Sequence, residues 1–173
     1  MVRNTLRQQI WVDMKTAKTY EMCLQNYTDR QRKWNRRFPL IVGVLSFVGS
    51  MTFTVSKYGP LIASLAVFVF SILKIVLPIF GQPEEELNQL DQLYSYFGQK
   101  TQDLESLWNY YQESPNNTEC QKKLSEIKTG MPECQSKMNK LVRHIWPWEN
   151  SKIKKEVNNY LTSKYYPIDY GHK

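Results

Sequence analysis

The chain has 173 residues, 42% of them hydrophobic, a net charge of +7 and a mean hydropathy of −0.53, so a polar whole surrounds a concentrated apolar part. Two histidines, three cysteines (Cys23, Cys120 and Cys134) and no CxxC pair argue against a zinc site or a disulfide-stapled scaffold, and neither a metal nor a cofactor is expected. Basic charge is uneven: residues 1–37 hold nine Lys/Arg against three Asp/Glu, and residues 81–173 hold twelve against thirteen, so the pI of 9.2 does not by itself indicate a nucleic-acid binder.

Residues 1–37 are polar and charged, with no apolar core of a secretory signal. Leu6, Ile10, Met14, Ala17, Tyr20, Leu24, Tyr27 and Trp34 recur mostly at steps of three and four, which is one stripe on a long helix. The helix is predicted from about Asn4 toward Trp34 and feeds into the next segment. RQRKWNRR, with Arg30, Arg32, Lys33, Arg36 and Arg37, closes this N-terminal cytosolic segment.

Residues 38–80 are the apolar block. FPLIVGVLSFVGSMTFTV (38–55) and PLIASLAVFVFSILKIVLPIF (60–80) are separated only by SKYG (56–59). Crossing a hydrocarbon core about 30 Å thick takes roughly 20 apolar residues, so each run is close to one span. The Gly-Pro turn makes the two helices antiparallel. The predicted fold class is therefore an all-α membrane protein with a two-helix transmembrane hairpin. The alternative is the buried core of a soluble all-α domain, but such a core would be spread along the chain on amphipathic stripes. The basic cluster before Phe38 resists translocation, which keeps both termini cytoplasmic. Trp34 and Tyr58 suit the two membrane interfaces.

Within the hairpin, Gly43, Ser46, Ser50 and Thr54 form a small polar stripe, and Ser64, Ser71 and Lys74 share a face of the second helix. Close helix packing explains such stripes, and so does a pore lining. Lys74 lies about 9 Å of helix rise before Phe80. It either snorkels to the cytosolic headgroups or faces a pore mouth. Phe47 and Phe53, or Phe68 and Phe70, are candidates for a constriction that gates by dewetting. One hairpin encloses no lumen, so a channel requires a homo-oligomer in the bilayer, and closed symmetry favours a ring, here a tetramer.

Residues 81–113 form a predicted cytosolic stalk. Pro83 with Glu84, Glu85 and Glu86 is a helix start, and Leu87, Leu90, Tyr94, Phe97, Thr101, Leu104, Trp108 and Tyr111 give a second stripe. The two stripes should pair antiparallel. Residues 114–173 form a small helical sensing or docking region, with helices predicted at about 117–128, from near Pro132 to Ile145, and from about Glu149 to Tyr165. With few apolar residues of its own, this region should pack on the stalk or on a neighbouring subunit. The sequon at Asn116 falls on the cytosolic side, where glycosylation is not expected. Lys140, Arg143, His144, Lys152, Lys154 and Lys155 are interleaved with Trp146 and Trp148. Aromatics beside cations suit a nucleotide or a single strand. A solvated helix face or a contact with anionic lipid fits the same residues.

No GxSxG, Walker, HExxH or GxGxxG pattern occurs, and an enzyme is not expected. Over residues 5–165 the basic RQRKWNRR entry, the KYGP turn and the helix starting at Pro83 resemble the SLATT family of two-transmembrane effectors. These are associated with nucleotide-making enzymes in bacterial anti-phage systems. The resemblance implies a multi-pass protein of the bacterial inner membrane that oligomerises and depolarises it when a nucleotide or oligonucleotide signal from a partner nucleotidyltransferase changes. It places the matching site on the basic-aromatic segment and carries over no catalytic residues. A competing class is a membrane-anchored interaction protein whose hairpin only anchors a recruitment stalk. A lysis peptide without a ligand is a third, opposed by the large cytosolic fraction.

Overall fold

A computed structural model of the protein describes residues 2–55, 64–65, 67–69, 71–72, 81–113, 116–143 and 147–166; the side chains of residues 2–5, 45–46, 48–55 and 147 lie outside the description. Among these residues the protein is all-α. Five helices follow in order: α1 (Val2–Val55), α2 (Glu84–Glu113), α3 (Asn117–Lys128), α4 (Met131–Leu141) and α5 (Pro147–Tyr165). Residues 64–65, 67–69 and 71–72 are helical as well. The chain divides into two compact units, Met1–Tyr27 with Asn88–Lys173, and Thr28–Leu87.

The first unit is built on the two predicted stripes. Leu6, Ile10, Met14 and Ala17 of α1 step by four, four and three, which keeps one helix face inward. Leu104, Leu107, Trp108 and Tyr111 of α2 meet them. Trp11 packs at a tilt against Trp108, with ring centroids 5.3 Å apart, and Tyr20 against Phe97 at 5.1 Å, so partners on α2 retreat as α1 advances. The pair is antiparallel. Cys120 and Leu124 of α3 and Ile153, Val157 and Leu161 of α5 complete the same core. The C-terminal helices thus pack on the stalk of their own chain. Their apolar positions are too few for a separate core and suffice only as lids on another.

Local chemistry sets the helix ends. Asn116 caps α3 by accepting the Glu119 N–H. The Thr129 N–H returns to the Ser125 and Glu126 carbonyls, and Gly130 takes φ 82° to start α4. Helix α4 ends at Leu141 rather than at the expected Ile145, because Val142 is extended (φ −79°, ψ 103°) and its N–H closes on the Met138 carbonyl. Helix α5 begins at Pro147, two residues before the expected Glu149, since proline's fixed φ suits a first helical position. Pro83 stands just ahead of α2, where its carbonyl accepts the Leu87 N–H, and the three glutamates fill the first turn.

In the second unit α1 continues through Pro39 to Val55. Proline has no N–H to give the Asn35 carbonyl one turn back. The Asn35 side chain donates to the Gln82 carbonyl at 2.8 Å, and Arg32 lies 4.0 Å from Glu84. Phe38, Gln82 and Leu87 are buried. Among the described residues no helix is long and apolar enough to cross a membrane. The turn at residues 56–59 and the end of the second apolar run at residues 73–80 lie outside them.

Candidate functional site

The hairpin candidates are described in part. Ser64 and Ser71 are exposed, and the Ser71 hydroxyl donates to the Val67 carbonyl of its own helix. Phe47 and Phe68 are 63% and 62% exposed. Leu40, Val44 and Phe47 follow at steps of four and three, as do Leu65, Phe68 and Ile72 at three and four, and all six are exposed. Gly43 has open space where a Cβ would stand. The side chains of Ser46, Ser50, Phe53 and Thr54, and residues Phe70 and Lys74, lie outside the described residues.

The basic-aromatic segment is spread over two helices and a linker. Lys140 is exposed in the last turn of α4. Arg143 is exposed in the linker, where its backbone N–H donates to the Tyr27 hydroxyl at 3.3 Å. Trp148, in the first turn of α5, is 66% exposed. Ile153 and Val157 turn inward, which leaves Lys152, Lys154 and Lys155 outward, and Lys152 lies 3.7 Å from Glu156. His144 and Trp146 lie outside the described residues. Neither of the two pockets described next is lined by any member of this segment.

A different set of residues converges at the end of the first unit's core. Arg7, Gln8 and Trp11 of α1, Trp108 of α2, and Asn158 and Thr162 of α5, with Tyr166 just beyond it, line a pocket of about 390 Å³. Trp11 packs edge-on to Tyr166 at 5.5 Å and to Tyr165 at 6.4 Å. The Arg7 guanidinium sits 5.3 Å from the Trp108 ring centre and donates to the Tyr166 hydroxyl at 2.9 Å. Lys15 donates to the Asn158 carboxamide oxygen at 3.0 Å, which sets a second cation beside the pocket. Sequence reading missed this cluster. Its only local signals are Arg7 and Trp11 one helical turn apart and the Tyr165-Tyr166 pair. The second pocket, about 630 Å³, lies between α1 and α3, is lined by Gln8, Gln9, Gln121 and Ser125, and holds an ion pair of Lys128 with Asp13 at 2.9 Å.

Charged groups nearby are paired. Lys164 binds Glu105 at 2.8 Å, and that hydrogen bond raises its pKa above the ordinary lysine value. Hydrogen bonds from Lys123 and then Tyr110 hold Glu119 below the usual carboxylate range. Burial pushes the Tyr165 hydroxyl and the Cys120 thiol up, so Cys120 is a poor source of thiolate. Among the described residues no group of three or more His, Cys, Asp or Glu gathers as a metal site would. No family model, no curated protein and no solved structure matches the chain.

Proposed function

We propose that the protein is an oligomeric, non-enzymatic pore-forming effector of the bacterial inner membrane, gated from the cytosol by a nucleotide or oligonucleotide in anti-phage defence. The observation that carries this reading is the 43-residue apolar block behind five basic residues in RQRKWNRR, in which Leu40, Val44, Phe47, Leu65, Phe68 and Ile72 are exposed while Phe38 at its start is buried. Exposed apolar side chains in such number call for a nonaqueous neighbour, and two helices need further copies before a lumen exists. The SLATT resemblance supplies the defence setting and the nucleotide signal. Expression or triggering in a bacterial host should depolarise the cell without bulk lysis. Leucine in place of Ser46, Ser50 and Thr54 should abolish that depolarisation while leaving the protein in the membrane fraction. Undiminished depolarisation would make the stripe helix packing.

The second reading is a membrane-anchored interaction protein. The core shared by α1, α2, α3 and α5 favours it, because it holds four helices together as one body whose outer faces can carry a partner. An anchor keeps its activity when residues 38–80 are replaced by an unrelated hairpin, and a channel loses it.

A further inference from the structure

We propose that the pocket between α1, α2 and α5 is a nucleoside-phosphate site, with the base against Trp11 and Tyr166 and the phosphate on Arg7. The inference rests on the nucleotide-sensing reading for its biological role. It moves the site away from the basic segment of α4 and α5.

Three features of the lining select the ligand class. First, Trp11, Trp108 and Tyr166 give an aromatic wall at one spot, and aromatic faces bind any planar base. Second, Gln8, Asn158 and Thr162 place carboxamides and a hydroxyl along the same pocket, which suits the donor and acceptor edge of a base. Third, the charge is all of one sign. The lining holds Arg7 and no carboxylate, and Lys15 is bonded to Asn158 at the side. A guanidinium has five N–H donors, so Arg7 can keep its Tyr166 bond and still clamp a phosphate. The pocket volume of about 390 Å³ falls in the range of roughly 300–1,000 Å³ typical of small-ligand sites, and near its lower end, which fits one nucleotide unit. The basic segment has cations and Trp148 but shares none of this lining. Arg7 and Trp11 also stand on α1, the helix that continues into the apolar run, so an occupied pocket bears directly on that helix.

The test uses full-length protein in detergent. Tryptophan fluorescence and calorimetry would be recorded with AMP, UMP, adenosine, inorganic phosphate, a cyclic dinucleotide and a short oligoadenylate. The monophosphates should bind and quench fluorescence. Adenosine and phosphate alone should bind more weakly, and tighter binding of the dinucleotide or the oligomer would identify the source of the nucleotide unit. Arg7→Gln should weaken binding about tenfold or more, the range for a lost charge-assisted hydrogen bond. Asn158→Ala, a change at an exposed residue, should weaken it as well. Trp148→Ala and Lys152→Gln should leave it unchanged. Binding that survives Arg7→Gln and fails with Trp148→Ala would overturn this assignment while leaving nucleotide sensing in place. Binding that follows Arg7 in a protein whose conductance ignores nucleotides would support the site and remove the gating. Failure of every probe to bind would overturn both.

Discussion

Gly130 occupies a position that side chains resist. Its φ of 82° is left-handed, and a Cβ would stand 3.1 Å from the Tyr96 hydroxyl, which itself donates to the Thr129 carbonyl. Gly130→Ala should therefore destabilise the first unit by about 1–2 kcal/mol in urea denaturation, and Gly130→Asn by less, because asparagine tolerates this region better. In the core, Ile10→Ala or Leu104→Ala should cost about 2–5 kcal/mol, since both side chains are completely buried. Glu119 provides a pH signature. Its folded pKa lies below the ordinary 4.5, so its contribution is present above that value and is lost as pH falls through the folded pKa. Glu119→Gln should lower the melting temperature slightly near neutrality, where the small contribution of this exposed pair is present, and the two profiles should converge as pH falls below 4.5. At this scale the sequence was most informative about buried stripe positions. It said nothing of Arg7 over Trp108, because residues 101 positions apart meet only once the helices pack.

At the scale of elements, two stripes read from period alone locate most of the core. Leu6, Ile10, Met14, Ala17, Leu24 and Tyr27 are buried on α1, and seven of the eight expected positions are buried on α2, with Tyr94 half-buried. Tyr20 is half-buried and Trp34 is 41% exposed, since a straight helix drifts relative to a fixed partner. Helix ends were harder to read. Lys140 through Ile145 carries no breaker, so nothing in the pattern marks the stop at Leu141. The start of α3 near residue 117 was legible, and the Asn116 cap that fixes it came from the structure. Asn116→Ala should cost about 0.5–2 kcal/mol, near the lower end because the cap bond is 3.4 Å long. Asn35→Leu, which removes the tie to the Gln82 carbonyl, should cost about 0.5–1.5 kcal/mol and speed amide exchange at residues 81–84.

At the scale of the whole molecule, composition pointed to the apolar block, and folding assembled the aromatic pocket. The block is contiguous in sequence, so clustering alone exposes it. The pocket draws on residues from 7 to 166, and no local spacing foretells it. The basic-aromatic segment had the opposite fate: its pattern is legible, but α5 turns Ile153 and Val157 inward and leaves the lysines as an outward face. The orientation proposed from RQRKWNRR puts both termini in the cytoplasm, so epitope tags at either end should survive protease treatment of intact bacterial spheroplasts. Cleavage of either tag would reverse the orientation assigned to RQRKWNRR. Planar-bilayer conductance would show whether copies of this chain make an aqueous path through a bilayer. Purified full-length protein would be compared with a version whose residues 38–80 are replaced by an unrelated two-helix hairpin of equal length. An oligomeric pore should give discrete conductance steps from the native protein, altered by a nucleotide, and none from the replacement. Native protein that inserts into the bilayer yet stays electrically silent with and without nucleotides, or a replacement that conducts equally well, would contradict it.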